Sequence, residues 1–431
     1  MTTLGERIGG IKRVIGGPFG SNLTQADYMP NGVPVIRGSN MEQNGRWIGG
    51  KYAFVTAEKA ASDLRTNIAR AGDIIVTQRG TMGQVSIVPD DSFEKEFIIS
   101  QSQMAISVDP KCAVRDFVYY YLRSPEFAEY LSHSIIQAGV PHINLSILRQ
   151  APAEWPNLGV QQAIASVLGT LDDKIELNRR MNETLEAMAR AIFKDWFVDF
   201  GPTRAKMEGR PPYLAPEIWS LFPDRLDNEG KPEGWRAGKL GDVAHQVGQT
   251  VSPETLDPNT PYIGLEHMPR RSIALSDWEG AGKVTSGKLA FRKCDFLFGK
   301  LRPYFHKVGI APLDGICSTD IVVLNARERS AAAFVLVCIS QDEFVAFTDR
   351  TSDGTKMPRT SWGRMERYSV CLPDEAVLDA FNAITNPTLD RIVANIHESR
   401  TLAATRDLLL PKLMSGEVRV KDAEKFVGKI A

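Results

Sequence analysis

The stretch GDIIVTQRGTMGQVSIVP, residues 72–89, has the β-branched side chains and flanking glycines of two strands joined by a turn. Its middle is crowded with hydrogen-bonding side chains where a hairpin needs only turn residues: Thr77, Gln78, Arg79 and Thr81. A second stretch, CDFLFGKLRPYFHKVGIAP at 294–312, matches it and aligns Asp73 with Asp295. Its polar middle differs, with Lys300, Arg302, Tyr304, His306 and Lys307. The pair of hairpins indicates a duplicated fold.

Other short strings repeat in the same order along the chain. PVIRGSNM at 34–41 returns as PYIGLEHM at 261–268, and LGERI at 4–8 returns as LGDVA at 240–244. Each copy takes about half of the 431 residues, which is too long for a solenoid repeat. We therefore expect two similar globular domains, each rich in short strands and each followed by a helical segment.

The two helical segments carry matching apolar seams, with steps alternating between four and three residues. The first seam contains Ile164, Leu168, Leu171, Ile175, Asn178, Asn182, Leu185, Ala189, Ile192 and Trp196. The second contains Phe381, Thr385, Thr388, Ile392, Asn395, Ser399, Leu402, Arg406, Leu409 and Leu413. A polar residue on such a seam fixes register, so Asn178 and Asn395 predict antiparallel pairing of the two helices. The alternative, in which each helix packs on its own domain, remains open.

The predicted fold class is α+β, with two similar globular domains separated by two long, antiparallel, coiled-coil-like helices and a pseudo-twofold internal repeat. A segment with six prolines, FGPTRAKMEGRPPYLAPEIWSLFPDRLDNEGKPEGW, predicts an extended linker. The expected boundaries are a first domain at 1–155, a central helical region at 156–200, the linker at 201–234, a second domain at 235–373, a C-terminal helical region at 374–416 and a tail at 417–431.

Composition limits the class of protein. The chain is 43% hydrophobic and 24% charged, has no apolar run of membrane-spanning length, and begins MTTLGERIGG without a signal-peptide core, so we expect a cytoplasmic protein. The five cysteines are widely spaced and form no C-x-x-C pair, which indicates neither disulfides nor a zinc site. The net charge of -1 argues against binding nucleic acid through bulk charge, so any such binding must use local patches.

Catalytic signatures are missing from the sequence. There is no G-x-S-x-G, H-E-x-x-H or G-x-G-x-x-G, and no turn of the kind that holds a flipped adenine in amino-methyltransferases. We therefore predict no catalytic residues, no metal site and no cofactor bound by this chain. The alternative is a magnesium-dependent nuclease that uses Asp90, Asp109 and Lys111, since two carboxylates and a lysine at such spacing can hold a metal.

Two unequal recognition domains suit duplex DNA, whose base edges are bound best by polar and basic side chains on rigid supports. In each copy, such side chains lie in the matched hairpin and in a later loop. The later loops are QAGVPHINLS at 137–146 and SDGTKMPRTSWGR at 352–364. The predicted DNA-binding residues are Gln78, Arg79, Thr81, His142 and Asn144 in the first copy, and Lys300, Arg302, Tyr304, His306, Lys307, Lys356 and Arg359 in the second. A solvated turn is the alternative for each of them.

Several of these strings resemble the specificity subunits of type I restriction-modification systems, over nearly the whole chain. They are GPFGSNLTQADY, GVPVIRGSNM, GDIIVTQRGTMGQVSIV, LGTLDDKIELNRRMNETLEAMARAIFKDWFVDF, PEGWRAGKLGDV and LLLPKLMSGEVRV. The resemblance implies that the two domains are target recognition domains, each reading one part of a bipartite, asymmetric DNA site. The second domain lacks the TQRGTMG string, so the two parts of the site should differ.

The resemblance also implies partners and a division of labour. Such a subunit binds double-stranded DNA and two methyltransferase (modification) subunits, which use S-adenosylmethionine to methylate adenine, and in the full complex restriction subunits that use ATP and Mg²⁺. This chain would then be the non-catalytic, DNA-reading part, with no membrane association. A regulator that binds DNA without any methyltransferase is a further possibility that the sequence leaves open.

Overall fold

The computed structural model describes residues 2–8, 14–41, 45–80, 82–135 and 142–429. The chain divides into two compact units. Unit 1 comprises residues 1–176 and 402–431, and unit 2 comprises residues 177–401. Both units combine β-sheets with helices, so the α+β prediction is confirmed.

The chain up to residue 197 contains short strands and five short helices before one long helix. In chain order the elements are α1 (Leu4–Arg7), β1 (Val14–Gly16), β2 (Val33–Ile36), β3 (Ala53–Val55), α2 (Ala57–Ala61), β4 (Ile68–Arg70), β5 (Ile74–Thr77), β6 (Val85–Ile87), β7 (Glu96–Ile99), β8 (Gln103–Ile106), α3 (Arg115–Tyr121), α4 (Pro125–Ser134), α5 (Leu145–Gln150) and α6 (Leu158–Phe197).

The rest of the chain has a similar sequence of elements. They are α7 (Gly201–Met207), α8 (Pro216–Trp219), β9 (Arg236–Lys239), α9 (Leu240–Val243), β10 (Ala244–Gln246), β11 (Gln249–Val251), β12 (Pro261–Ile263), β13 (Glu279–Gly280), β14 (Lys288–Phe291), β15 (Phe296–Gly299), β16 (Val308–Ile310), β17 (Gly315–Cys317), β18 (Ile321–Ala326), α10 (Ala332–Ile339), α11 (Asp342–Arg350), α12 (Trp362–Met365), β19 (Ser369–Leu372), α13 (Glu375–Met414) and α14 (Val420–Val427).

The main sheets of the two units have the same strand order. In unit 1 the order is β1-β8-β5-β6, and in unit 2 it is β10-β18-β15-β16, with antiparallel pairing throughout. A second sheet in unit 1 has the order β3-β2-β7-β4, and in unit 2 the order β13-β12-β17-β14 is extended by β11. In both second sheets the central pair, β2 with β7 and β12 with β17, is parallel. The internal repeat predicted from the sequence is therefore present in the topology.

The aspartates aligned from the sequence perform the same structural task. Asp73 Oδ2 accepts the Arg70 N–H at 2.8 Å, and Asp295 Oδ2 accepts the Arg292 N–H at 2.7 Å. The other carboxylate oxygen accepts Ser107 Oγ at 2.6 Å in unit 1 and Asn325 Nδ2 at 2.7 Å in unit 2. Each aspartate thus closes the turn before the matched hairpin of its unit, and burial raises the pKa of Asp295.

The two long helices pack against each other within each unit. In unit 1, Leu168 and Leu171 of α6 share a buried cluster with Leu402 and Leu409 of α13. In unit 2, the residue numbers of α13 contacts fall as those of α6 rise, because Asn178 bonds Ser399 whereas Asn182 bonds Asn395. The pairing is therefore antiparallel, and none of the twenty predicted seam residues is fully exposed.

The proline-rich segment was predicted to be an extended linker, but part of it is helical. It forms α7 and α8, and its Phe222 and the following Trp235 are buried in the unit-2 core against aromatic side chains of α6. Proline at the start of each short helix removes an N–H that would have no helical partner there, so prolines start these helices rather than prevent them.

No single helix in the described part of the chain is both long and apolar enough to cross a membrane. Two helical segments bent by 70°, Arg329–Ile339 and Asp342–Arg350, are long and apolar enough for a membrane span only when taken together. Their apolar residues from Ala333 to Ile339 are buried in the core of unit 2. Burial in a core accounts for their hydrophobicity.

Candidate nucleic-acid interface

Three segments of unit 1 meet at the end of β5. The Gln78 N–H donates to the Ser102 carbonyl at 2.8 Å, and the Gln78 carbonyl accepts the Ile143 N–H at 3.0 Å. Arg79 and His142 form an antiparallel bridge beside these bonds. We call this backbone contact among residues 78–79, 102 and 142–143 the unit-1 junction. It places three of the predicted DNA-binding residues, Gln78, Arg79 and His142, side by side.

Unit 2 has the same contact at the end of β15. The Lys300 N–H donates to the Asp320 carbonyl at 2.9 Å, and the Lys300 carbonyl accepts the Thr360 N–H at 2.9 Å. Leu301 and Arg359 form the antiparallel bridge. This is the unit-2 junction, comprising residues 300–301, 320 and 359–360. Because each of its bonds has a counterpart in unit 1, the two junctions are one backbone design that carries different side chains.

The unit-1 residues singled out from the sequence differ in exposure. Arg79 is exposed, whereas Gln78 is half-buried and its Nε2 donates to the Gln101 carbonyl at 2.6 Å. Asn144 is exposed, but its Oδ1 accepts the Ile147 N–H at 2.9 Å and caps α5. Thr81 lies outside the described residues. Arg79 thus has the most accessible charge in this set, and Asn144 also has a structural task.

The unit-2 residues are held by two loops that are bonded together. The Arg302 N–H donates to the Pro358 carbonyl at 2.7 Å, which joins the loop after β15 to the loop at 353–360. Arg302 has a positive φ of 52°, and Tyr304 beyond it is 48% exposed. Lys356 is exposed, and Arg359 pairs with Asp320 at 2.7 Å. The predicted basic residues of unit 2 therefore lie on one stabilised surface.

His306 and Lys307 are held inside this surface, unlike their neighbours. His306 is 5% exposed, with Nε2 3.0 Å from the Ser340 carbonyl and Nδ1 3.1 Å from Oδ1 of Asp342, and burial lowers its pKa. Lys307 is half-buried, donates from Nζ to the Leu265 carbonyl, and has a pKa that burial lowers. Both side chains stabilise the loop in this arrangement, which argues against the DNA contacts predicted for them.

Sequence reasoning missed Phe19 and Gln101, which lie next to the unit-1 junction. Gln101 Nε2 donates to the carbonyls of Gly20 at 2.6 Å and Leu23 at 3.2 Å, and so holds the loop that carries Phe19. Phe19 itself is 87% exposed. A phenylalanine enclosed by Gly17, Pro18 and Gly20 was a usable signal, because such a turn offers few neighbours to bury the ring.

The seam asparagines take separate partners rather than each other. Asn178 Nδ2 donates to Oε2 of Glu398 at 2.8 Å and to Oγ of Ser399 at 3.2 Å. Asn395 Nδ2 donates to Oδ1 of Asn182 at 2.8 Å, and both Asn178 and Asn395 are 1% exposed. These bonds exist only when the helices are in one register. The register role assigned to Asn178 and Asn395 stays a prediction, and it now includes Asn182 and Ser399.

The acids of the nuclease alternative are each occupied elsewhere. Both carboxylate oxygens of Asp90 accept from Arg115, at 2.7 and 2.8 Å, and Asp109 Oδ1 accepts the Lys111 N–H at 3.0 Å within a turn. Among the residues that the structure describes, no three His, Cys, Asp or Glu side chains are grouped to hold a metal ion. Nothing in this geometry supports a two-carboxylate nuclease site.

Residues 19–187 match the family model described as a type I restriction modification DNA specificity domain. The chain is 26% identical over 375 residues to the type I restriction enzyme MjaIX specificity subunit of Methanocaldococcus jannaschii, covering 85% of this chain and 82% of that protein. It is 23% identical over 402 residues to the HindI specificity subunit of Haemophilus influenzae, covering 81% and 87%. A crystal structure of a type I restriction-modification S subunit from M. genitalium aligns over 93% of each chain, with 16% identity and a TM-score of 0.49.

Proposed function

We propose that the chain is a DNA specificity subunit of a type I restriction-modification system, because residues 19–187 match the model of that DNA specificity domain. The unit-1 and unit-2 junctions each bind one part of a bipartite, asymmetric site in duplex DNA. The chain directs the chemistry of partner subunits to that site and performs none itself.

One observation carries this proposal: the two junctions share every backbone bond and differ in side chains. Position by position, Gln78 and Arg79 in unit 1 correspond to Lys300 and Leu301 in unit 2, and His142 corresponds to Arg359. A common support with unequal hydrogen-bonding groups is what two unlike half-sites require. The backbone fixes where a side chain is presented, and the side chain decides which base edge it fits.

The chemistry of the presented groups suits the major groove. Arginine and lysine donate to the O6 and N7 acceptors of guanine, while glutamine and asparagine pair with adenine. In unit 1, Arg79 is the exposed basic group and the half-buried Gln78 already donates from its amide to the Gln101 carbonyl, whereas Lys300 and Arg302 offer the basic kind in unit 2. The backbone bonds at both junctions keep these residues in place before DNA arrives, so less conformational entropy is lost on binding.

Phe19 extends the unit-1 surface with an apolar group. Its ring is 87% exposed on a loop that Gln101 joins to Gln78 of the unit-1 junction. An exposed aromatic ring beside a DNA-binding surface can contact a thymine methyl group or stack on a base. We assign Phe19 to the DNA contact of unit 1.

The proposed partners follow from the proposed family. Two modification subunits would use S-adenosylmethionine to methylate adenine within the bound site, and restriction subunits would use ATP and Mg²⁺. No residue described above is assigned to hold either cofactor. The chain contributes the choice of sequence, and the reacting groups belong to its partners.

Binding selection from a pool of random duplexes tests the proposal, with the full chain and its modification subunits. We expect enrichment of two short specified parts around an unspecified spacer. Arg79→Ala should relax one part only, and Lys300→Ala should relax only the other, with a loss of about 1–3 kcal/mol for a bidentate base contact. Arg70→Ala, an exposed arginine paired with Glu96, is the matched control and should change neither part.

Two outcomes would overturn the proposal. If the wild-type complex enriches no sequence, the chain does not select DNA. If either junction variant alters both specified parts, the units do not read DNA independently and the correspondence between junctions has no functional meaning.

A further inference from the structure

Unit 2 contains an open cleft of about 640 Å³ that none of the predicted residues lines. It lies where the end of α11 meets α12, and three arginines surround it: Arg350, Arg364 and Arg367. Hydroxyl-bearing Thr351, Ser352 and Ser361 complete its polar lining. We call it the arginine cleft.

The arginines of the cleft carry uncompensated positive charge. Arg364 is oriented by Asp353 Oδ1, 2.5 Å from its Nη2, and by the Thr351 carbonyl. Within the described part of the chain, the guanidinium groups of Arg350 and Arg367 have neither an ion pair nor a hydrogen bond. Arg225 of the same unit, by contrast, is paired with Glu233 at 2.6 Å. With Arg364 paired to Asp353, the guanidinium groups of Arg350 and Arg367 are left to attract an anion into the cleft.

The form of the cleft favours a phosphodiester over a small free ion. Guanidinium groups donate pairs of parallel N–H bonds that match phosphate oxygens. The cleft is open and several times the volume of one phosphate group, so a polymer can pass through it. A lone buried anion would instead need an enclosed site with its donors already converged.

The arginine cleft is continuous with the unit-2 junction. Asp353, which orients Arg364, exchanges two backbone hydrogen bonds with Arg359, at 2.9 and 3.0 Å. Arg359 in turn forms the bridge to Leu301. A DNA strand whose bases face Lys300 and Arg359 would therefore have its backbone close to the cleft.

Unit 1 lacks the same charges on the same helices. The junction bridges pair His142 with the position of Arg359, an offset of 217 residues, and the same offset places His133, Ile147 and Gln150 at the positions of Arg350, Arg364 and Arg367. His133 already lies 3.0 Å, through Nδ1, from the Glu129 carbonyl. The three arginines are thus not required by the fold that the two units share. Because neighbouring guanidinium groups repel one another, their presence together in unit 2 needs another explanation.

We infer that the arginine cleft binds a phosphate of the DNA backbone beside the unit-2 junction and so positions that half of the site. This inference rests on the proposed function. Arg350 and Arg367 donate hydrogen bonds to the phosphate oxygens. Arg364, which Asp353 holds in place, donates from a third side. The contact is independent of sequence, because phosphates carry no base information.

The test measures how salt weakens DNA binding by the full chain in complex with its modification subunits. Each phosphate contact contributes about 0.9 to the slope of log affinity against log salt, which is about a threefold change in affinity between 50 and 200 mM salt. Arg350→Ala and Arg367→Ala should each weaken binding to specific and random duplexes alike, and the double variant should lower the slope by about one. The enriched motif should stay unchanged. Arg225→Ala removes an equal charge from the same unit and should leave the slope as it was.

Several results would contradict the inference. An unchanged slope in the double variant would show that no phosphate binds there. Relaxation of one specified part would mean that the arginines contact bases. Normal DNA binding with weaker assembly would assign the cleft to an acidic surface of a protein partner. If the wild-type complex enriches no motif, the proposed function fails, yet the slope on random duplexes still tests the cleft.

Discussion

Gly72 and Cys294 occupy the same backbone position in the two units. The N–H of Gly72 donates to the Val88 carbonyl and that of Cys294 to the Ala311 carbonyl, each at 2.9 Å, and both residues have a positive φ, 84° and 70°. Glycine has no Cβ to clash in this conformation, whereas any other residue there is strained by about 1–2 kcal/mol. The two units therefore differ in local strain at one turn.

Exchanging these residues should shift stability in opposite directions. Cys294→Gly should raise the free energy of unfolding by up to about 1 kcal/mol, since part of the relieved strain is lost to the greater freedom of glycine in the unfolded chain. Gly72→Ala should lower it by a similar amount. Urea titration of both variants measures the difference, and a stability loss in Cys294→Gly would show that the thiol makes contacts that outweigh the strain.

At the scale of elements, the long helices contain a buried ion pair within unit 1. Arg406 of α13 donates to Oδ1 of Asp172 of α6 at 2.6 Å, and Tyr120 of α3 donates to Oδ2 at 2.7 Å. Arg406 and Asp172 are 3% and 5% exposed at their side chains. Burial alone would lower the pKa of Arg406, but Asp172 and Asp407 outweigh it and raise the pKa, so the arginine stays charged.

Removing one member of this pair should cost far more than removing both. Arg406→Met leaves the Asp172 carboxylate buried beside an apolar chain and should lower the free energy of unfolding by about 3–5 kcal/mol. Asp172→Asn combined with Arg406→Met should recover most of that loss, because no buried charge remains. A double-mutant cycle by chemical denaturation measures the coupling. Additive effects of the two changes would mean that the pair contributes no specific stabilisation.

At the scale of the whole molecule, the chain contains two related backbone junctions and holds the acids of the nuclease alternative in structural roles. Incubation of the purified chain with duplex DNA and Mg²⁺ should therefore leave the DNA intact, because Asp90 is held by Arg115 and Asp109 closes a turn. Gel analysis of supercoiled plasmid is sensitive to a single nick. Cleavage that Asp109→Ala abolishes would contradict the proposed function and favour the nuclease alternative.

The sequence by itself determined the duplication, the fold class and the paired helices. Strand alternation, the heptad seam and the turn aspartates Asp73 and Asp295 are short-range patterns, and each depends on residues within a few positions of one another. The polar hairpin middles at 78–79 and 300–302 were found in the same way. Side-chain type and local spacing were sufficient for these features.

Only the tertiary structure decided which distant segments meet and which side chains remain exposed. The path of the chain through the sheets of each unit brings residues 142–143 onto Gln78 and residues 359–360 onto Lys300. It also buries His306 beneath α11 and gathers Arg350, Arg364 and Arg367 around one cleft. Loop closure and burial depend on the order of strands and the packing of helices over the whole unit, and local sequence spacing carries no record of either.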